Sequence, residues 1–371
     1  MSGKPINVPF GYLPDQFSEI DSVMAEIRLL TQSGDYTLGA AVTEFEQQFA
    51  AFQQGRYAIG VNSGTDALKL SFRALGIGHG DEVVTAANTF IGTVSAILDI
   101  GAVPVFVDVD ASMQMEPDQL ETVMTSNTRA VVPVHWAGDI GRIEDIVAIA
   151  DRHAVPIVED ACQAVGSSRE GKRAGHWSQA AAFSLHPQKF LNIWGDGGVI
   201  VTDDEALADQ LRLLRNHGLQ TRDLVVVAGV NSRLDTLQAL VARHVLVSAD
   251  SILARRRRIA SRYDEAFAAI DEIEIPRSKE TEGHSFVTYQ IFCEQRNELL
   301  ACCEAAGIEA KIHYPVPVYR QPCLGGRQQK GAFPETDRQA DRTLTLPVHQ
   351  HLSDEQVDHV IDVVTRFFRQ G

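Results

Sequence analysis

Short apolar segments and helical patterns alternate along residues 57–202, and this alternation constrains the fold more than any other feature of the chain. Continuous apolar runs are typical of strands buried on both faces of a parallel sheet. Between several of them, apolar residues recur at helical spacing, as in DALKLSFRALGI and IEDIVAIADRHA. The runs are YAIGV (57–61), EVVTAA (82–87), VPVFVDV (103–109), RAVVPV (129–134), VPIVED (155–160), AAFSL (181–185) and GGVIVT (197–202). We therefore predict an α/β fold with a mostly parallel, seven-stranded sheet.

The predicted sheet has one irregular connection. The segments at 181–185 and 197–202 are joined by a short loop with no room for a crossover helix. Because parallel neighbours need a long connection, this loop favours an antiparallel strand at that point. Before the sheet, an irregular arm leads into two helical patterns, at 17–30 and 40–52.

The pattern changes after about residue 245, and the chain of 371 residues is too long for one small core. The remaining segments mix strands and helices without a long parallel run, which indicates a smaller α/β domain. We therefore predict an N-terminal arm and large domain over 1–245 and a small domain over 246–371. The predicted elements of the small domain are a long helix at 241–270, strands at 285–293 and 308–316, and helices at 296–307 and 353–368.

Charge and composition narrow the class of protein. The formal net charge of −16 leaves no basic excess to neutralise phosphates, which argues against a nucleic-acid partner. No apolar run approaches the roughly 18 residues of a membrane span, and the N-terminus lacks the apolar core of a signal peptide. The five cysteines are odd in number and form no CxxC pair. This usage indicates a reduced, cytoplasmic protein, and no metal site is predicted.

The densest basic cluster is ARRRRIA at 254–260. In an acidic chain, such a run favours a solvent-exposed helix face. A rim that contacts the phosphates of a small anionic ligand is the alternative, because a few local cations suffice to bind such a ligand.

Polar residues follow three of the predicted strands, at the edge where ligands bind in open parallel sheets. After 57–61, the segment NSGT precedes a helix, so free backbone N–H groups and the helix dipole create an anion site. Gly64 lets the backbone approach the anion closely and Thr65 adds a hydroxyl, although an ordinary helix cap would use the same residues. Neither a Walker loop nor GxGxxG occurs, so a single phosphate is the better ligand.

Asp160 ends one predicted strand, and Ser184 and Lys189 follow another. A buried carboxylate needs a cation or a donor; Asp160 would either cap the next turn or keep a heterocyclic nitrogen protonated. Lys189 alone would be a surface residue, but in a partly desolvated pocket it would form a Schiff base with a carbonyl. A phosphate site, an Asp and a Lys are the contacts that pyridoxal 5′-phosphate (PLP) requires. Together they predict PLP as the cofactor.

Several motifs in register resemble the DegT/DnrJ/EryC1/StrS family of nucleotide-sugar aminotransferases, which have the fold of aspartate aminotransferase (fold type I). The resemblance covers nearly the whole chain. The motifs are NSGTDAL, TFIGTVSAI, VPVHWAG, EDACQAVG, FSLHPQK, GDGGVIVT, NSRLDTLQA, IHYPVP and LPVH. The resemblance implies a PLP-dependent enzyme in which Lys189 is the Schiff-base lysine and the proton shuttle, while Asp160 pairs with the pyridine nitrogen.

The resemblance also implies roles for other residues at matching positions. Gln163 would lie near the ring hydroxyl of the cofactor, and Phe90 would stack on its ring. Asn231 would reach the phosphate from a neighbouring subunit, so a homodimer with shared active sites is expected. The phosphate would be held by Gly64, Thr65 and Ser184, and the sugar pocket would be lined by His313 and Tyr314. Phe190, Asn192 and Trp194 flank the lysine and are candidates for selecting the sugar.

The reaction implied by the resemblance is transfer of an amino group from L-glutamate to a keto-sugar on a nucleotide. The motif GDGG at 195–198 is typical of members that aminate C3, whereas members acting at C4 often carry GEGG. We therefore expect a 3-keto-6-deoxyhexose linked to dTDP or UDP, with a 4-keto nucleotide-sugar as the alternative. PLP-dependent sugar dehydratases of this fold carry histidine in place of the lysine, so Lys189 argues against that activity. Another fold type I chemistry is a weaker alternative, because the sugar-family motifs argue against it.

Overall fold

The predicted alternation forms a mixed β-sheet in the computed structural model, which describes residues 6–276, 283–325 and 331–369. Residues of the central strands are buried along their whole length, as continuous apolar runs require. The strands are β1 Tyr57–Val61, β2 Glu82–Ala86, β3 Val103–Val107, β4 Thr128–Val132, β5 Val158–Asp160, β6 Ser168–Arg169, β7 Lys172–Arg173, β8 Ala180–Ser184, β9 Gly198–Thr202, β10 Leu219–Thr221, β11 Leu224–Val225, β12 Tyr289–Phe292 and β13 Thr343–Leu346.

The central sheet has the order β1-β9-β8-β5-β4-β2-β3 within the described residues. Strand β2 pairs in parallel with β3 and β4, and β5 pairs in parallel with β8. Two parallel bridges, Val131–Ile157 and Val134–Asp160, join β4 to β5. Strand β9 runs antiparallel to both β1 and β8. The seven predicted strands are therefore confirmed, together with the antiparallel strand that the short loop favours.

Helices cover the sheet and form most of the C-terminal part. Their spacing of apolar residues gives each a buried stripe, as in α7, where Ile143, Ile146, Ile149 and Ala150 are buried. The helices are α1 Leu13–Gln16, α2 Asp21–Ser33, α3 Ala40–Gln53, α4 Gly64–Ala74, α5 Ile91–Asp99, α6 Pro117–Val123, α7 Ile143–Arg152, α8 Glu205–Leu214, α9 Thr236–Leu246, α10 Ala249–Phe267, α11 Arg296–Ala305, α12 Pro334–Arg342 and α13 Asp354–Arg369.

Two predicted elements of the C-terminal part are wrong. Residues 308–316 form no strand; Ile308 makes one bridge to Val8 and Lys311 makes one to Thr345. The partner of β12 is instead β13, which is antiparallel to it and too short to stand out in the sequence. The helix predicted at 241–270 is two helices, α9 and α10, bent by 57°. Periodicity alone did not reveal the break, because both halves keep an apolar face.

The buried apolar residues form clusters on the two faces of the central sheet and a further cluster in the C-terminal part. Helix α10 contributes to two of them: Ile252 and Leu253 pack against the large cluster, and Tyr263 and Phe267 against the C-terminal one. Val8 of the N-terminal arm also lies in the C-terminal cluster. The predicted boundary near residue 245 stays a prediction.

One bent pair of helices is the candidate membrane span among the described residues. Among the described residues, no single helix has the length and hydropathy to cross a membrane. The bent pair α9 and α10 passes that test together by length and composition alone.

Candidate active site

A cavity of about 520 Å³ lies at the edge of the sheet where the parallel strands end. The predicted site residues Gly64, Thr65, Phe90, Asp160, Gln163, Ser184, Lys189, His313 and Tyr314 all line it. They come from the ends of β1, β5 and β8, from the start of α5 and from the C-terminal part of the chain. The fold therefore brings together residues that are as much as 250 positions apart (64 to 314).

The start of α4 is the predicted anion site. Ser63 is the N-cap, and its hydroxyl accepts a hydrogen bond from the backbone N–H of Asp66 at 3.0 Å. A Cβ atom on Gly64 would lie 2.7 Å from Cys162 Sγ and 2.9 Å from Ser184 Cβ, so only glycine fits there. Because Ser63 is the cap, the Thr65 hydroxyl is not needed for capping and lines the cavity. The capping interpretation is thus confirmed for Ser63, and anion binding at the neighbouring residues stays a prediction.

Asp160 is oriented by neutral donors. Its side chain is 6% exposed. Thr93 Oγ1 donates to Oδ2 at 2.6 Å, and the backbone N–H of Cys162 donates to Oδ1 at 3.2 Å. Among the described residues, no Lys, Arg or His forms a salt bridge with it. The carboxylate is therefore fixed in direction but keeps its negative charge available to a cationic ligand atom.

Lys189 lies in the loop after β8, in a turn closed by its own N–H and the carbonyl of His186 at 2.8 Å. Its amine makes no hydrogen bond or salt bridge with the described residues. Burial lowers the pKa of Lys189, while the interactions with Cys162 and Asp160 oppose that shift. Burial also raises the pKa of the Cys162 thiol well above its usual value, with Asp160 acting in the same direction. The amine is thus closer to its neutral, nucleophilic form than a surface lysine.

Phe90 and Gln163 lie on the walls of the cavity. Phe90 is 49% exposed, and its ring lies 5.7 Å from that of Tyr314. An exposed aromatic face at a cavity is available for stacking. Gln163 accepts a hydrogen bond from the backbone N–H of Ala137 at 3.0 Å, which leaves its NH₂ group free to donate.

His313 and Tyr314 are uncharged at neutral pH. Burial, and then Lys189, lowers the pKa of His313 to about 4. Burial, and then Asp160, raises the pKa of Tyr314 to about 12. His313 Nδ1 is 3.1 Å from Thr345 Oγ1, and the Tyr314 ring packs edge-on against Trp136 at 5.5 Å. Two neutral, oriented groups of this kind suit hydroxyl recognition.

Asn231 is an exception among the predicted site residues. It is exposed, does not line the cavity of its own chain, and bridges Asn216 through its backbone. Its prediction as a residue that reaches a neighbouring subunit stays a prediction.

The three residues that flank Lys189 do not line the cavity. Phe190 and Asn192 are buried, and Asn192 donates to the carbonyl of Pro187 at 3.1 Å. Trp194 packs edge-on against Phe17 at 5.6 Å. The loop turns Phe190 and Asn192 into the protein interior, whereas Trp194 is half-buried. The expected role of these residues in selecting the sugar stays a prediction.

A family model of the DegT/DnrJ/EryC1/StrS aminotransferases matches residues 18–365. The chain belongs to this family. It has fold type I, it is a sugar aminotransferase, and it depends on PLP.

Family members with known structures or activities resemble the whole chain. The dTDP-3-amino-3,4,6-trideoxy-α-D-glucose transaminase of Streptomyces venezuelae is 39% identical over 96% of this chain and 95% of its own. The UDP-2-acetamido-2-deoxy-3-oxo-D-glucuronate aminotransferase of Pseudomonas aeruginosa is 35% identical over 93% of this chain and 96% of its own. The crystal structure of S. venezuelae DesV in complex with a ketimine intermediate superposes with a TM-score of 0.94, at 38% identity, over 97% of this chain and 98% of DesV.

The residues present fit the cofactor of this aminotransferase family. The Gly64 cradle admits a close anion, the Asp160 carboxylate has neutral donors alone, and the buried Lys189 amine has no partner among the described residues. These three features match the phosphate, the ring nitrogen and the aldehyde of PLP.

Further residues of the aminotransferase site were not found from the sequence. Thr93 holds Asp160, Tyr12 contacts the backbone of Lys189, and Arg256 lines the cavity. Arg256 is 1% exposed, so the basic run at 254–260 is not a uniformly solvent-exposed face. The signal was present in the helical spacing: Ile252, Arg256, Ile259 and Tyr263 share the buried stripe of α10.

Proposed function

We propose that the enzyme transfers the amino group of L-glutamate to C3 of a 3-keto-6-deoxyhexose carried on dTDP or UDP. The observation that carries the chemistry is the buried Lys189 amine, which has no partner among the described residues and lies in the same cavity as Asp160. The pKa-lowering burial keeps that amine available as nucleophile and base.

Each group of site residues would contact a different part of the cofactor. Gly64, Thr65 and Ser184 would hold the phosphate, Asp160 the ring nitrogen, and Phe90 and Gln163 the ring itself. The bound cofactor supplies an electron sink for the carbanion at the donor's α-carbon. Once free, the Lys189 amine would take the proton from the α-carbon of the donor and deliver it to the cofactor carbon that keeps the amino nitrogen. In the second half of the reaction, with the keto-sugar, the Lys189 amine would move a proton in the opposite direction.

Asp160 strengthens this chemistry electrostatically. A fixed carboxylate keeps the ring nitrogen protonated, and the positive ring then stabilises negative charge that develops during proton abstraction. Thr93 orients the carboxylate without neutralising it. A charged partner in place of Thr93 would weaken this effect.

The C3 assignment has two supports. The P. aeruginosa relative acts on a 3-oxo sugar nucleotide and the S. venezuelae relative on a 3-amino sugar nucleotide, according to their names. Asp196 of the GDGG motif lines the cavity, where it can contact the sugar. Amination at C4 is the alternative.

A substrate comparison tests the assignment. The enzyme is incubated with L-glutamate and either a 3-keto or a 4-keto dTDP-hexose, and 2-oxoglutarate and amino-sugar formation are measured. Turnover of the 3-keto sugar is expected; turnover of the 4-keto sugar alone would refute the C3 assignment. Absorbance at about 400–430 nm reports the bound cofactor, and Lys189→Ala should abolish both that band and turnover. A colourless wild-type protein after cofactor addition would refute the aminotransferase chemistry itself.

We also propose a homodimer with shared sites, working in the cytoplasm. Asn231 is exposed beside a hairpin whose Leu224 and Val225 are exposed apolar residues, as expected of an interface between copies. The five cysteines are free, which suits a reducing compartment.

Subunit mixing tests the shared site. Lys189→Ala and Asn231→Ala proteins are each assayed alone and after mixing under exchange conditions. If Asn231 serves the neighbouring chain, the mixture regains activity, because one site of each mixed dimer keeps both residues. No recovery despite demonstrated exchange would show that Asn231 does not act across the interface.

A further inference from the structure

A chain of hydrogen bonds connects the N-terminal arm and the C-terminal part of the protein to the backbone of Lys189. The Tyr12 hydroxyl donates to the carbonyl oxygen of Lys189 at 2.9 Å. Nη2 of Arg256 donates to the same hydroxyl oxygen, also at 2.9 Å. We propose that Tyr12 is a positioning residue for the reaction: its hydroxyl, held by Arg256, fixes the Lys189 backbone and thereby the place of the amine. This inference rests on the proposed role of Lys189.

Arg256 is an immobile anchor for this chain. Its Nη1 donates to the carbonyls of Phe286, Val287 and Val348 at 3.0, 3.2 and 2.9 Å, and its Nε donates to Gln350. No carboxylate forms a salt bridge with it among the described residues. Its charge is therefore solvated by carbonyl dipoles and by the Tyr12 oxygen. Moving it would leave a buried cation without acceptors, which is strongly unfavourable.

Contacts with neighbouring side chains also hold the Tyr12 ring in place. It stacks on the ring of His349 at 4.9 Å and 23°, and the Arg256 guanidinium lies 5.4 Å from its centre. His349 donates in turn to the carbonyl of Pro9 at 3.0 Å. The arm is thus held at Pro9 as well as at Tyr12. Because the guanidinium binds the phenol oxygen, it also makes the hydroxyl a stronger donor.

The loop that carries Lys189 needs such support. It has no regular secondary structure around the lysine. The N–H of Lys189 bonds to His186, and within the described part of the chain Tyr12 is the hydrogen-bond partner found for its carbonyl. The two bonds flank the Cα atom and so fix the direction of the side chain. Proton transfer by the amine depends steeply on such placement, since an error of about 1 Å costs roughly 10²-fold in rate.

The test is Tyr12→Phe, which removes one oxygen atom and keeps the stacked ring. The matched control is Tyr263→Phe: Tyr263 is also buried, its hydroxyl donates to the carbonyl of Pro347 at 3.0 Å, and it does not line the cavity. Each apoprotein is mixed with PLP, and the rate at which the band at about 400–430 nm appears is followed by stopped flow. Single-turnover rates with L-glutamate, normalised to sites that show the band, and Tm are then measured.

We expect Tyr12→Phe to slow both the appearance of the band and the single turnover by roughly tenfold, with the KM for L-glutamate within about twofold of wild type. Tyr263→Phe should leave both rates unchanged, whatever its effect on Tm. Rates for Tyr12→Phe equal to those of wild type, or an equal slowing in both variants, would overturn the inference. Failure of the proposed function would give a different result, because the wild-type protein itself would then show neither the band nor turnover.

Discussion

Two buried histidines in the wall of the cavity, His313 and His349, set how the site responds to acid. His313 and His349 both have a pKa lowered to about 4, primarily by burial. Around neutral pH they therefore act as uncharged donors or acceptors and do not compete with Lys189 or Asp160 for charge. As the pH falls, protonation of these imidazoles should destabilise the folded protein before the paired carboxylates are protonated.

The pH dependence of stability tests this at His349. Its pKa is about 4 in the folded chain and 6.5 in the reference state, so between these values the unfolded chain binds a proton that the folded chain does not. The free energy of unfolding should therefore fall as pH drops from about 6.5 to about 4, by at most about 3 kcal/mol from this group. Urea unfolding should show a shallower decline for His349→Gln. Identical slopes in the wild-type protein and His349→Gln would contradict the prediction.

Gly64 is important because no side chain fits at its position. In Gly64→Ala, the new methyl would approach Cys162 Sγ to 2.7 Å and Ser184 Cβ to 2.9 Å. We expect destabilisation of about 1–3 kcal/mol from overpacking and a PLP affinity weakened by at least roughly tenfold, because the anion cradle is displaced. Equilibrium titration of the absorbance band measures this. Gly78→Ala is the control, since its nearest neighbour would be 3.9 Å away; equal affinities would argue against the cradle.

At the scale of elements, α12 depends on one carboxylate from the sheet. Asp108, which follows β3, is 1% exposed. Its oxygens accept from the backbone N–H groups of Glu335 and Thr336 at 2.9 and 2.8 Å, and from the Thr336 hydroxyl at 2.7 Å. The residue thus caps a helix that lies more than 200 positions away and ties it to the large sheet.

Asp108→Asn tests how much this cap contributes to the free energy of unfolding. The amide has one acceptor oxygen in place of two and places an NH₂ group against N–H donors. We expect a loss of about 1–3 kcal/mol in the free energy of unfolding, as for other buried polar groups left unsatisfied. Asp204→Asn, at the more exposed cap of α8, should cost about 1 kcal/mol or less. Equal losses in chemical denaturation would show that burial adds nothing to the cap at α12.

At the scale of the whole molecule, the cavity is lined by parts of the chain that are far apart in the sequence. Its walls include Tyr12 from the arm, Asp160 and Lys189 from the sheet, and His313 and His349 from the C-terminal part. A ligand that contacts these walls binds the folded state alone. Cofactor binding is therefore coupled to the stability of the whole fold.

Thermal unfolding of the apoprotein and the PLP-loaded protein tests this coupling. At 100 times its Kd, the cofactor should stabilise the fold by about 2.7 kcal/mol and raise Tm. Lys189→Ala, which removes the covalent attachment, should show a smaller rise at the same concentration. A Tm unchanged by saturating cofactor in the wild-type protein would contradict the coupling.

The sequence by itself determined which segments form the strands of the central sheet and that Gly64, Asp160 and Lys189 meet at its edge. Continuous apolar runs specify strands locally, and Gly64, Asp160 and Lys189 each stand where a strand ends, so their convergence follows from the shared edge of a parallel sheet. The antiparallel β9 was also predictable, because a short loop excludes a crossover.

Only the tertiary structure decided what surrounds those contacts. Tyr12 lies 177 positions from Lys189, and Arg256 lies 244 positions from Tyr12. No local pattern reports which distant donor reaches a given carbonyl, since that depends on how the arm and α10 pack together. The same reason explains why Phe190, Asn192 and Trp194 lie outside the cavity wall and why 308–316 is no strand. Periodicity indicates which face of a segment is buried, whereas the partner of that face is fixed by the packing of the whole chain.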